Sequence, residues 1–579
     1  MFRLARFLKA YKKQVILGPI FKLTEAIFEL IVPLVMANII DVGIYHRDVN
    51  HVLWMGALMI GLGAVGLACA LTCQYFASVA SQGFGTTLRN KLFSHINSFS
   101  HAEIDRFGTP SLITRLTNDV NQLQYAVAML IRLVVRAPFL AIGAMVMAIS
   151  IDAKLAVVLL IAMPLIVLAL YFIMSRTVPL YRTIQKKLDR ISLVSRENLA
   201  GVRVIRAFSK QKMERERFCD ASEDLARTSI RVGKVSALLN PVTFVIMNLG
   251  IVAIVWFGGF RVQEGSMTQG EIIAFVNYMT QILLALIVVA NLVITFTKAA
   301  ASAVRVNEVL DTQASVKEEN SGEISVESRP DLPKIQFQDV VFRYGQAEEA
   351  SLEGISLCIM PGQTVGIIGG TGSGKSTLVN LIPRLYDIQE GKILVDGVDV
   401  RKYPFHQLRQ KIGMVPQRAV LFAGTIAENM RWGKQDATEE EMKRALTIAQ
   451  AWDFVEKLPK GLQSEVTQEG KNFSGGQRQR LTIARALVGR PDILILDDSS
   501  SALDFATDAA LRRALREETK AMTVLMVSQR ASTIRDADQI VVLDDGKAAG
   551  GWAPQQLMES CEGYREICLS QLSAEEAAR

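Results

Sequence analysis

The sequence predicts two joined parts: an all-α six-helix transmembrane domain with long cytoplasmic helical extensions, and after it an α/β domain. Three observations carry this. Six apolar runs precede residue 300, each near the about 20 residues that a helix needs to cross a bilayer. The composition then changes at Val316–Pro330, a polar, acidic and punctuated stretch that has the character of a linker. From about residue 334 onward, strand-like and helix-like segments alternate. The boundaries are therefore placed at 1–312 for the membrane part, 313–333 for the linker and 334–579 for the α/β part.

The expected spans lie near 15–40, 52–79, 126–150, 155–175, 236–260 and 272–298. Half of the 579 residues are hydrophobic, and the mean hydropathy is +0.25. Six cysteines are scattered without a CxxC pair. Cys69 and Cys73 sit one helical turn apart in an apolar run, which makes them packing residues in a reducing compartment rather than metal ligands. The formal charge of +7 is modest; in such a chain it reflects basic cytoplasmic loops, not nucleic-acid binding. No cleavage-type signal precedes the first apolar run, so that run is expected to be retained as a span.

Basic residues set the orientation. Arg3, Arg6, Lys9, Lys12 and Lys13 precede the first span, and Arg182, Lys186, Lys187 and Arg190 follow the fourth. The loops at 41–51, 150–154 and 261–271 carry little positive charge. The N-terminus, the second–third and fourth–fifth connections and the α/β domain are thus expected in the cytoplasm. Both connections, 80–125 and 176–235, are polar yet rich in helix formers. Unstructured loops of that length are uncommon, so each is predicted to be a pair of helical extensions that reverses in the cytosol.

Val365–Thr377 supplies an apolar strand, a glycine loop and a helix start. The run Gly369, Gly370, Thr371, Gly372, Ser373, Gly374, Lys375, Ser376 and Thr377 matches G-x-x-x-x-G-K-[ST]. Glycines let backbone N–H groups close around phosphate oxygens, and the helix N-terminus adds its positive end. Lys375 is expected at the β- and γ-phosphates, with the Ser376 hydroxyl on Mg²⁺. A second apolar strand ends in Asp497, the expected metal carboxylate. Upstream, Ser474, Gly475, Gly476 and Gln477 open another helix and make a second anion-binding start. One nucleotide does not need two such sites from one domain, so two domains are expected to meet, each lending its second loop to the other's nucleotide.

On these residues the chain resembles an ATP-binding-cassette exporter half-transporter along nearly its whole length. Gly369–Thr377 resembles Walker A, Leu494–Asp497 Walker B, Ser474–Gln477 the signature and Ser501–Asp504 the D-loop, which places Asp504 at the subunit boundary. Tyr344 resembles the aromatic A-loop residue that stacks on adenine, and Gln417 the Q-loop glutamine beside the metal. The resemblance implies a P-loop, ABC-type α/β domain, ATP and Mg²⁺ as cofactors, a twelve-span dimer in the lipid bilayer, and coupling regions near 107–119 and 207–212.

Two positions depart from the pattern. The hydrolysis base, a glutamate in the family, is here Asp498, and the switch histidine is here Gln529. Aspartate is one methylene shorter, and a shift of about 1 Å in a reacting group costs on the order of 10²-fold in rate. Glutamine donates a hydrogen bond but cannot carry a proton as imidazole does. The pair resembles the degenerate member of a bacterial heterodimeric multidrug exporter. This implies a second half-transporter that bears the glutamate and the histidine, in a bacterial cytoplasmic (inner) membrane. A homodimeric lipid or peptide exporter and an ATP-binding membrane sensor are the alternatives.

Charged residues inside spans are costly and point to function or to pairing. Lys22, Glu25 and Glu29 fall in the first span, Arg132 and Arg136 in the third. Glu25 and Glu29 share one helical face. They are expected either to pair or to line a cavity for cationic amphiphiles, the small-molecule class that a multidrug cargo implies.

Overall fold

The computed structural model describes residues 2–318, 322, 324, 331–345, 347–518, 521–552, 557–558 and 561–571. About half of the expected linker, 313–333, lies outside these. The chain divides into two compact units. One holds Met1–His95 and Pro110–Thr312, the other Ile96–Thr109 and Gln313–Arg579.

The first unit is helical. Among the described residues, six helices are long and apolar enough to cross a membrane: Arg3–Ile44, Val49–Asn97, Thr109–Ile151, Ala153–Ala200, Gln211–Gln263 and Gln269–Asp311. Each contains one expected span and extends well beyond it, as the polar, helix-forming connections require. The sixth is the most enclosed, with 44% of its apolar window buried against 11% for the second. Its Phe275, Tyr278, Met279 and Ile282 are wholly buried. Tyr278 satisfies its hydroxyl by donating to the Leu30 carbonyl at 2.8 Å, as a buried phenol must.

Helix starts follow local chemistry. Asp152 caps Ala153–Ala200 by accepting from the Leu155 N–H at 2.8 Å, and it also pairs with Arg261. Thr268 and Glu271 form a capping box for Gln269–Asp311. Asp41 accepts from the Gly270 N–H at 2.8 Å and the Thr268 hydroxyl at 2.6 Å, which ties the first span to the sixth. The backbones meet closely there: a Cβ on Gly270 would lie 2.4 Å from the Ala37 carbonyl oxygen.

The two cytoplasmic reversals fall inside the predicted connections 80–125 and 176–235. The first is the short helix His101–Phe107, opened by a Ser100–Glu103 capping box and closed by Gly108 at φ +73°. The second is Val202–Ala207, whose residues are not buried. Phe208 beyond it is 71% exposed.

In the second unit, strands are β1 (Ile335–Phe342), β2 (Leu352–Ile359), β3 (Thr364–Gly369), β4 (Glu390–Val395), β5 (Val398–Asp399), β6 (Ile412–Val415), β7 (Gly424–Thr425), β8 (Glu465–Val466), β9 (Ile493–Asp497), β10 (Thr523–Val527), β11 (Gln539–Asp544) and β12 (Lys547–Trp552). The main sheet has the order β12-β11-β3-β10-β9-β6. It is parallel except for the β11–β12 pair. β9 and β10 are buried along their whole length, which explains their unbroken apolar sequences. A smaller antiparallel sheet has the order β2-β1-β4-β5.

A buried ion network pins the small sheet to the base of β9. Lys334 reaches Asp396 at 2.8 Å and Asp492 at 3.0 Å, and Lys411 reaches Asp396 at 2.8 Å. Burial alone would raise the Asp396 carboxyl, but hydrogen bonds from Lys334 and Lys411 outweigh it and hold the group below its ordinary range. A pKa lowered by folding gives stability that is complete above the unfolded value and is lost as pH falls through the folded one. Asp396→Ala leaves Lys334 buried without its main partner, so it should destabilise this unit by roughly 3 kcal/mol at neutral pH. The Tm gap between variant and wild type should close as the pH falls through the carboxylate range.

Candidate nucleotide site

Three neighbouring parallel strands, β3, β10 and β9, end on one edge of the main sheet. Carboxyl ends of parallel strands are where α/β sheets hold ligands. Here they deliver, side by side, the glycine loop, Gln529 and the Asp497–Asp498 pair. Register fixes the arrangement: Asp498 donates its N–H to the Val527 carbonyl at 3.0 Å, and Ser528 donates to Ile367 at 3.0 Å.

The glycine loop cannot carry side chains at two of its positions. A Cβ on Gly369 would lie 2.1 Å from the Leu543 carbonyl oxygen. Gly374 caps the helix Lys375–Leu381 at φ +94°, where a Cβ would also sit 2.7 Å from the Ser351 oxygen. The Lys375 ammonium folds over the loop and donates to the carbonyls of Gly369 at 3.0 Å and Gly370 at 2.6 Å, with the Ser373 hydroxyl at 3.3 Å.

A cavity of ≈ 330 Å³ opens at this edge. It is lined by Tyr344, Ser351, Thr371, Gly372, Gly374, Lys375, Ser376, Thr377, Gln417, Asp497, Asp498, Val527 and Gln529. Residues read from five separate stretches of sequence, Tyr344, the glycine loop, Gln417, Asp497–Asp498 and Gln529, are thus brought to one pocket. Ser376 donates to Asp497 at 2.9 Å, Gln417 donates to Asp498 at 3.3 Å, and the Tyr344 and Thr377 hydroxyls lie 3.0 Å apart. Ser474, Gly475, Gly476, Gln477 and Asp504 do not line it. Ser474 and Gln477 cap the helix Gly475–Leu487 on the exposed surface, where Gln477 accepts from the Ser474 N–H at 2.9 Å.

Electrostatics suit a cation held between carboxylates. Burial pushes both Asp497 and Asp498 above the usual carboxylate range. Asp498 adds to the rise of Asp497, while the Ser376 hydroxyl and Lys375 oppose it. Burial also lowers the Lys375 ammonium, against the pull of Asp498 and Asp497. Asp498 holds φ at +45°, a left-handed conformation that aspartate tolerates better than most residues.

Sequence reading missed two contributors. Tyr386 stands edge-on to Tyr344 with ring centroids 5.3 Å apart, and donates its hydroxyl to Asp105 of the helix His101–Phe107 at 2.8 Å. Burial and that hydrogen bond push its phenol well above the ordinary value. The other is Gln571, near the end of the described chain. Its amide donates to the Gln529 carbonyl at 2.8 Å and accepts from the Ala531 N–H at 2.9 Å, so it clamps the turn after β10 from both sides. Neither residue has a local sequence signal, because each acts across tens of residues. Gln571→Ala should speed hydrogen exchange at the Ala531 amide by about tenfold, the loss of roughly one hydrogen bond, with ATP affinity unchanged.

The fold and pocket define a membrane-anchored P-loop ATPase. Residues 15–286 match the ABC transporter transmembrane region family, and residues 352–501 match the ABC transporter family. The chain belongs to the ABC transporter family and is an exporter-type half-transporter, with both parts fused in one polypeptide. It is 40% identical to an uncharacterised ABC transporter ATP-binding protein of Mycobacterium tuberculosis, over 98% of this chain and 97% of that one. It is 30% identical to an ATP-dependent lipid A-core flippase of Chromobacterium violaceum, over 99% and 98%. It is 37% identical to a fatty acid ABC transporter ATP-binding/permease protein of Mycobacterium bovis, over 75% and 68%. In fold it is similar to a bacterial Atm1-family ABC exporter with ATP bound, with a TM-score of 0.78 over 99% of both chains at 24% identity. The chain is accordingly a multi-pass membrane protein and a transport ATPase that binds ATP.

Proposed function

We infer that this chain is the ATP-retaining half of a heterodimeric exporter in a bacterial inner membrane. Its own site hydrolyses slowly, and its Ser474–Gln477 signature completes the partner's competent site. The observation that carries this reading is the pairing of Asp498 and Gln529 in a pocket that otherwise keeps every binding group. Mg²⁺ fits the donors present: the Ser376 hydroxyl and an Asp497 oxygen lie 2.9 Å apart, with Gln417 lining the same pocket, and these are the hard oxygen ligands the ion prefers. Bound there, it would neutralise phosphate charge. Lys375 would orient the terminal phosphates, and Tyr344 would offer its ring to adenine. Ser474 and Gln477 cap an exposed helix start and do not line this pocket, which suits a residue set lent to another subunit. Purified alone, the chain should bind ATP with little steady-state turnover, and adding the partner should restore it. Robust turnover by the chain alone would overturn the reading.

Cargo of a lipid-like, amphiphilic kind is favoured over cationic drugs. Two relatives carry lipid or fatty-acid names, and the carboxylates that suggested a cationic cargo are already neutralised. Glu25 takes the Lys22 ammonium at 2.7 Å, and Glu29 takes Arg136 at 2.6 Å.

A further inference from the structure

The helix Glu562–Gln571 is anchored by one face. Its Tyr564 and Cys568 are each 3% exposed, and they share a core with Ile368, Ala531 and Ile534. Ile368 directly precedes Gly369 of the glycine loop, while Ala531 and Ile534 bound the short helix that follows Gln529. Residues 564, 568 and 571 are spaced i, i+4, i+7, which places them on one helical face. Gln571 thus ends the buried stripe. It is itself exposed, but its amide reaches the turn after β10.

That turn has few other supports. Pairing of β10 with β3 stops where Ser528 donates to the Ile367 carbonyl at 3.0 Å. The Arg530 N–H then donates to the Ser528 hydroxyl at 2.9 Å. Gln571 makes the remaining two bonds. Its Oε1 accepts from the Ala531 N–H at 2.9 Å, and its Nε2 donates to the Gln529 carbonyl at 2.8 Å. The latter is the one hydrogen bond that Gln529 makes among the described residues. The Gln529 side chain lines the nucleotide cavity, and Gln571 does not. The aim of that side chain is therefore set by its main chain, and the main chain is held by an amide from a different helix.

We propose that Gln571 is a positioning residue for ATP cleavage: by fixing the Gln529 carbonyl it keeps the side chain at 529 aimed into the pocket. Groups that line a site hold their geometry only as well as the residues behind them are fixed, and a shift of about 1 Å at such a site costs on the order of 10²-fold in rate. The proposal requires that residue 529 take part in cleavage. It does not depend on how fast this site works or on which subunit pairs with it, and so stands apart from the heterodimer reading.

The test times single-turnover cleavage of γ-labelled radioactive ATP, with Mg²⁺, by an excess of the full chain in phosphatidylcholine nanodiscs. Gln571→Ala should slow cleavage at saturating ATP by about tenfold, a part of the loss that full misplacement brings, while the half-saturating ATP concentration stays within about twofold. The two bonds can be separated. Gln571→Lys keeps a donor for the Gln529 carbonyl and should recover most of the rate; Gln571→Glu keeps only the acceptor for Ala531 and should not. Gln529→Ala should slow cleavage at least as much as Gln571→Ala, and combining them should cost no more than about twofold beyond Gln529→Ala alone, because one group acts through the other. Ser570→Ala removes a hydroxyl that bonds only within its own helix and should leave the rate within about twofold. For a rate too slow to time, hydrogen exchange over 528–532 is the readout: ATP should protect this segment in the wild-type chain, and Gln571→Ala should lose most of that gain. The proposal is overturned if Gln571→Ala cleaves within twofold of wild type, if its effect falls on half-saturation instead of rate, or if Glu restores the rate as well as Lys. It is equally overturned if the two alanine effects multiply, or if ATP protects the segment alike in both chains.

Discussion

Placing glutamate at 498 and histidine at 529 together should raise the steady-state ATPase of the isolated chain by about two orders of magnitude. The pocket already holds what binding needs: the Lys375 ammonium over the glycine loop, the Ser376–Asp497 pair and Tyr344 beside Thr377. On the reading proposed above, what it lacks is reach and a proton carrier. The Asp498 carboxylate is engaged by Gln417 at 3.3 Å; one more methylene carries it farther into the cavity that both residues line. Gln529 lines the same cavity in the turn just past β10, where an imidazole could carry a proton. Each single change should recover only part of the rate, because groups that act as a unit are non-additive. Asp498→Glu also places a longer side chain at φ +45°, a cost of about 1 kcal/mol that shows in Tm and not in rate. Phosphate release measured at saturating ATP decides the matter. An unchanged rate in the double variant would show that the slow step lies elsewhere.

Much of this site was legible because phosphate chemistry dictates residue type and order together. Only glycine fits where Gly369 approaches Leu543, and only a strand end can hold Asp497 beside Ser376. The six spans were legible for a similar reason, since a bilayer demands length and apolarity at once. What the sequence hid depends on contacts between distant segments. Glu25 and Glu29 gave the same one-turn pattern whether free or paired; the pairing of Glu29 comes from Arg136, which is 107 positions away. The first reversal was expected somewhere within 80–125; the Ser100–Glu103 capping box sets where the short helix starts, and Pro110 occupies the first turn of the next one. Gln571 gave no signal, because an amide that clamps a turn some forty residues away has no local motif.

Substituting Gly475 by Asp should abolish ATP turnover by the paired complex, by about 10³-fold or more, while leaving ATP bound at this chain's own pocket. The helix Gly475–Leu487 begins on the exposed surface, with its first N–H groups outside the 330 Å³ cavity. A carboxylate there opposes a second phosphate electrostatically, and removing one preorganised donor set from a phosphate already costs on the order of 10²–10³. The reciprocal change separates the two sites. Lys375→Met removes the ammonium from this chain's own loop, and should lower ATP retention here while sparing most of the pair's turnover. A symmetric machine would lose activity equally by either route. Trapping labelled nucleotide on each subunit, together with phosphate release by the complex, distinguishes the two cases. If Gly475→Asp and Lys375→Met depress turnover alike, the site bearing Asp498 is a working hydrolase, and the assignment of unequal roles falls.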